Sequence, residues 1–209
     1  MAAPSYDEIG FDATDVAPEK VEKYAGRKDV TDRVAFVFPT RLQKAKTHYK
    51  DKHIICTGGL CCEKLGPPAY RIGTVLIQYA TNKKGVLETP LSWSVKHWIF
   101  SAKRFAELQE LNTEFSLGSH DLKITCNEEK FQQLKFTPCS GDALWQRDPS
   151  FKAQVLKAAE MAMKTIYLGS KLDNDALREL LGVESSAAGT DPSTDDDFSK
   201  ILAGVGLEE

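Results

Sequence analysis

The stretch that decides the fold reads YRIGTVLIQY at 70–79, followed by TNKKG at 81–85 and LSWSVK at 91–96. Ten residues dominated by β-branched and aromatic side chains predict a long strand. Thr81-Asn82-Lys83-Lys84-Gly85 has turn chemistry. Leu91, Trp93 and Val95 then alternate with Ser92, Ser94 and Lys96. A period of two puts the first three on one face and the polar three on the other.

Working outward, Val34–Phe38 predicts a strand stopped by Pro39, and His53–Thr57 another that ends at Gly58-Gly59. A helix is expected from about Ser101 to Asn112, with Ser101 as its cap and Phe105, Leu108 and Leu111 inward. Asp121–Cys126 and Gln133–Thr137 alternate again, with Asn127-Glu128-Glu129 as the turn between them. Strands, one interposed helix and more strands predict an α+β, mainly β domain over 31–147, a five-stranded barrel of the OB type.

The flanks differ. Residues 1–30 read as a polar arm with a short helix from Ala17 to Tyr24. Asp148-Pro149 opens a helix that runs from Phe151 to Leu168, and Asp173–Leu181 is a second helix closed by Gly182. These C-terminal helices occupy 148–182, and the first, Phe151 to Leu168, is expected to pack on the barrel or mediate self-association. Residues 183–209 have the composition of a disordered acidic tail. No apolar run approaches the roughly 18 residues of a membrane span. The acidic N-terminus lacks a signal pattern, so an intracellular, cytoplasmic protein is expected. In a reducing compartment the five cysteines are thiols or metal ligands.

Charge divides the chain. Residues 184–209 carry seven acids against Lys200 alone, whereas 31–150 hold 17 Lys/Arg against 12 Asp/Glu. The net charge of −3 conceals this split. A basic body with an acidic tail suits binding to a polyanion and self-regulation by a mimic of it. Arg41, Lys44, Lys46, Lys50, Arg71 and Lys96 are the candidate phosphate contacts. Tyr49, Tyr70, Tyr79, Trp93, Trp98 and Phe100 are the aromatic rings that could stack on unpaired bases. Parity assigns Trp93 to the core, leaving Tyr49, Tyr79 and Trp98 as the preferred stackers. Gly73, on the parity of Arg71 and Tyr79, would let a base or a backbone approach closely, or mark a bulge. A solvated lysine loop and core aromatics are the competing explanation.

His48, Cys56, Cys61 and Cys62, with His53 as an alternative to His48, form a Cys/His cluster suited to structural zinc. Buried or free thiols are the other reading, and Cys126 and Cys139 are expected in the core. In the tail, Asp195, Asp196 and Asp197 precede Phe198, Ile201 and Leu202. The carboxylates would occupy the phosphate groove when nucleic acid is absent, and the apolar residues would dock partner proteins. No Walker loop, GxGxxG, HExxH, GxSxG or deaminase motif occurs, which leans against an enzyme.

Three stretches then carry a resemblance. They are HYKDKHIICTGGLCC (48–62), DLKITCNEEKFQQLKFTP (121–138) with ALW at 143–145, and DDDFSKIL (195–202). Together they resemble the single-stranded DNA-binding proteins of tailed bacteriophages. The resemblance implies an OB barrel, in some members a zinc-bearing subdomain, and an acidic C-terminus that competes with DNA. It also implies recruitment of replication and recombination proteins by that C-terminus, in the cytoplasm of an infected host. The expected function is sequence-independent coating of single-stranded DNA. The alternative is a non-catalytic protein-interaction module, a replication or transcription accessory factor acting through the tail.

Overall fold

A computed structural model describes residues 21–127 and 133–183. Seven strands, all antiparallel, form one sheet. The predicted long strand is its spine, β4 (Ala69–Tyr79). One edge of β4 is shared: β2 (Gln43–Lys50) pairs with its first half and β1 (Val30–Phe36) with its second. The other edge takes β5 (Trp93–Ser101) over nine register pairs, Arg71↔Ser101 to Tyr79↔Trp93. Beyond β2 lies β3 (Lys52–Ile55), and beyond β1 lie β6 (Asp121–Cys126) and β7 (Leu134–Pro138).

Among the described residues the sheet is open and does not close into a barrel. Closure would need two of the strands with a free edge, β3, β5 and β7, to pair, and they pair only with β2, β4 and β6. Alternation along a strand carries no information on closure.

Both faces of the sheet are covered. The face bearing Val34, Phe36, Ile72, Leu76, Trp98, Phe100, Leu122 and Ile124 forms a core with Leu108 of α2 (Ala102–Glu114). Ser101 caps α2 by accepting from the Arg104 amide. The opposite face, with Ala35, Val75, Ile77 and Tyr79, packs on Trp145 and on Val155, Ala159, Ala162 and Met163. Those four lie on one stripe of α3 (Pro149–Lys164), whose start is fixed by Asp148 accepting from Phe151 N at 2.7 Å. The helix stops at Thr165, short of the expected Leu168. Ile166 and Leu168 instead lie in extended chain over β4. A Cβ on Gly73 would stand 2.7 Å from Ile166 Cγ2, so this glycine admits a neighbouring stretch of the chain itself. The chain then reaches β3, where Ile55 N donates to Ser170 O at 2.8 Å.

Two further expectations change. Residues 21–24 of the predicted Ala17–Tyr24 helix are extended against β5, with Tyr24 N donating to His97 O at 2.7 Å. The lysine-rich segment at 43–50 is strand β2, not a loop. The tail residues Asp195, Asp196, Asp197, Phe198, Ile201 and Leu202 lie outside the described residues, as do Glu128 and Glu129 of the expected turn.

The chain divides into two compact units, 1–171 and 172–209. The first unit therefore holds α3 together with the sheet. The second contains the short helix α4 (Asn174–Leu181), capped by Asp173 accepting from Ala176 N at 2.8 Å and closed by Gly182 in the left-handed conformation. No described helix is long and apolar enough to cross a membrane.

A buried carboxylate ties strands to the 3-10 turn Leu144–Gln146. Asp121, 1% exposed, accepts from Arg33 Nε at 2.9 Å, Tyr79 OH at 3.2 Å and Leu144 N at 3.3 Å. Burial raises its pKa, and the Arg33 charge only partly opposes this. A carboxyl raised in the folded state contributes stability below its unfolded pKa, about 3.9, and loses it as pH rises through the folded value. The Asp121→Asn chain, which cannot ionise there, is therefore expected to gain on the wild type between about pH 3 and about pH 7. Urea melts at the two pH values check this; a difference moving the other way refutes it.

Candidate metal centre and basic-aromatic surface

The β2–β3 hairpin turns at Asp51, whose φ of 57° is a left-handed conformation that Asp tolerates. The tight return brings the end of β3 beside β2, and Cys56 N donates to Lys46 O at 2.8 Å. Gly58 (φ 81°) and Gly59 (φ 50°) then reverse the chain into α1 (Leu60–Leu65). This reversal carries Cys61 and Cys62 back over the hairpin.

Four side chains converge as a result. Cys56 Sγ lies 3.7 Å from Cys61 Sγ and 3.3 Å from Cys62 Sγ, and Cys62 Sγ lies 3.7 Å from His48 Nε2. All four ligand atoms fall within 4.8 Å of one another. A tetrahedral ion with metal–sulfur bonds of about 2.3 Å separates its sulfurs by about 3.8 Å. The four residues could therefore hold a metal ion. Adjacent cysteines serve together because they open the short helix, where both can turn toward Cys56. His48 is the histidine of the cluster; His53 instead meets the Tyr49 ring edge-on at 5.0 Å.

The thiols affect one another strongly. Hydrogen bonding to Cys56, with burial and the neighbouring sulfurs, pushes Cys62 up to about 11. Burial acts to raise Cys61 too, but hydrogen bonds from Thr57, Cys56 and Gly58 outweigh it and the net shift is downward. Three thiolates this close need a cation to ionise together. Of the other cysteines, Cys126 is buried and Cys139 half-buried.

The same hairpin displays the basic and aromatic residues. Lys44 and Lys46 are exposed on β2, Lys50 is half-exposed, and Tyr49 is 69% exposed. Lys46 pairs in register with Tyr70, 44% exposed, and its Nζ sits 5.6 Å from the Tyr70 ring centroid. Arg71 is half-buried and donates to Leu168 O at 2.6 Å. Burial lowers its pKa.

The remaining predicted contacts lie elsewhere. Arg41 is ion-paired with Glu160 and stacks over Phe38, and Lys96 is ion-paired with Glu22. Tyr79 and Trp98 are corrections: at 1% and 3% exposed, neither has a face to offer a base. Parity put Trp98 with Ser94 and Lys96, but α2 and Tyr24 cover that face from Trp98 onward. Trp93, expected in the core, is half-buried against Phe151 of α3.

Sequence reasoning named Tyr70 among the aromatics without preferring it. Its parity matches the core residues Ile72 and Leu76, and the usable signal is its position at the start of the strand, two residues after Pro68. His53 as the ring neighbour of Tyr49 was legible only with the hairpin register, Tyr49↔His53.

No protein-family model, curated protein or solved structure matches the chain.

Proposed function

We propose that this chain is a non-catalytic protein that binds single-stranded DNA largely without regard to sequence. The observation that carries this reading is the pair of exposed tyrosines on the lysine-bearing hairpin and its neighbouring strand, Tyr70 on the face of Lys44 and Lys46 and Tyr49 next to Lys50 on the other face. Exposed rings give sequence-tolerant stacking, and lysines beside them neutralise phosphates. The resemblance of its sequence stretches to phage single-stranded DNA-binding proteins supports the same reading. An OB-like arrangement of the strands, with the open sheet as its frame, belongs to the proposal.

Zinc is the metal we assign to His48, Cys56, Cys61 and Cys62, because a His/Cys₃ donor set is soft, compact and complete at four ligands. A closed set of this kind serves structure; it would clamp α1 onto the hairpin that bears Tyr49 and the lysines. The acidic tail would compete with DNA for the basic surface and recruit replication or recombination proteins.

Tyr49→Ala and Tyr70→Ala are each expected to weaken oligo-dT binding by about 1–3 kcal/mol. Both rings are exposed, so thermal stability should hardly change. Fluorescence anisotropy with labelled oligo-dT and a matched duplex, across a salt series, measures this. A full-length chain that binds neither, or prefers the duplex, overturns the reading. Truncation to residues 1–183 should tighten oligo-dT binding by removing the competing polyanion.

A further inference from the structure

A cleft of about 290 Å³ opens where β4 begins and β5 ends, bounded by Tyr49, His53, Tyr70, Arg71 and Ser101. Its lining is mostly apolar, and Tyr49 is the most exposed aromatic of the described sheet. Arg71 is the anomaly within it. The guanidinium is half-buried, its Nη1 is held by the Leu168 carbonyl, and no carboxylate pairs with it among the described residues. By contrast Arg33 pairs with Asp121, Arg41 with Glu160 and Arg104 with Glu107, while Arg147, which donates to the Asp142 carbonyl, is exposed. A partly desolvated cation without a counter-charge is costly unless an anion arrives. Its remaining N–H groups form the planar fork that suits phosphate.

We propose that this cleft is a single-nucleotide subsite, in which Tyr49 receives one unstacked base and Arg71, on the same face of the sheet, holds the phosphate attached to it. The inference rests on the single-stranded DNA reading and sharpens it. His53, whose pKa is lowered by burial and by the Arg71 and Lys23 charges, meets the Tyr49 ring edge-on. The lysines elsewhere on the hairpin act through charge alone, whereas this position reads a complete nucleotide.

The test uses the full-length chain, oligo-dT and an abasic strand of equal length, over a salt series. Arg71→Gln is expected to weaken oligo-dT binding about tenfold and to flatten the slope of log K against log salt by about 0.7. A purely structural loss of the Leu168 contact would not change that slope. Tyr49→Ala should erase at least a fivefold preference for oligo-dT over the abasic strand. An unchanged slope in a folded Arg71→Gln chain, or equal wild-type binding of oligo-dT and the abasic strand, overturns the subsite. Should Arg71→Gln fail to fold, Arg71→Lys decides: weaker binding with the slope retained supports the fork, and unchanged affinity refutes it. A wild-type chain that ignores oligo-dT at every salt defeats the DNA reading itself, whereas tight binding that is indifferent to Arg71 defeats only the subsite.

Discussion

Trp98→Ala is expected to lose about 3–5 kcal/mol of folding stability, the range for removing a large ring from a packed core. Trp98 is 3% exposed and meets Tyr24 edge-on at 5.6 Å, Phe100 at 5.0 Å, Phe36 at 5.9 Å and Phe136 at 6.3 Å. Four rings from β1, β5, β7 and the chain before β1 would face the same void, and none can turn to fill it without leaving its own neighbours. Trp98→Phe keeps most of the contact and is expected to lose about half as much. Denaturant melts measure both. Oligo-dT affinity of the Phe variant, measured below its transition, is expected to equal that of the wild type. A folded Trp98→Phe or Trp98→Ala chain that has lost DNA binding selectively would restore Trp98 as a stacking residue and contradict its burial.

Trp98 also shows where the sequence stops being informative. Alternation in Leu91–Lys96 assigns side chains to two faces, and the assignment holds: Trp93 and Val95 lie with the α3 core, Trp98 and Phe100 with the α2 core. What alternation cannot say is whether a face is wet. A sheet covered on both sides turns the polar parity of Ser94 and Lys96 into a core two residues later. The long strand at 70–79, the helix near 101–112 and the caps Asp148, Asp173 and Gly182 were legible because each depends on local chemistry. Strand β2 was not, since Gln43–Lys50 is pulled into the sheet by β4 and has almost no strand propensity of its own. The Cys/His spacing gave the ligand set, but only the glycine reversal at 58–59 explains how adjacent cysteines turn to one point. Arg41 and Lys96 were indistinguishable from Lys44 and Lys46 by sequence, because their partners Glu160 and Glu22 lie 119 and 74 residues away.

Full-length protein is expected to bind one zinc ion per chain, and Cys62→Ser to bind it too weakly to survive a competing chelator. Cys62 lies within 3.3 Å of Cys56 Sγ and within 3.7 Å of His48 Nε2, so it links the histidine to the other thiols. Structural zinc sites carry apparent binding energies of about 10–16 kcal/mol in small peptides, where binding and folding are the same event. Here the sheet has two apolar cores of its own, so most of the chain should remain folded without the ion. The loss should fall on α1 and on the β2–β3 hairpin. Helix α1 is six residues long with one buried side chain, Cys61, and nothing else that strong fixes it. Amide hydrogen exchange over 47–65 should accelerate at least a hundredfold on chelation, while β4 and β6 are unchanged. Because the hairpin carries Tyr49 and the lysines, oligo-dT affinity should fall in the same samples. Metal analysis that finds no zinc, together with unchanged exchange in Cys62→Ser, would reduce the cluster to neighbouring thiols. Zinc binding with exchange lost evenly across the sheet would instead make the ion part of the global fold, which the two apolar cores argue against.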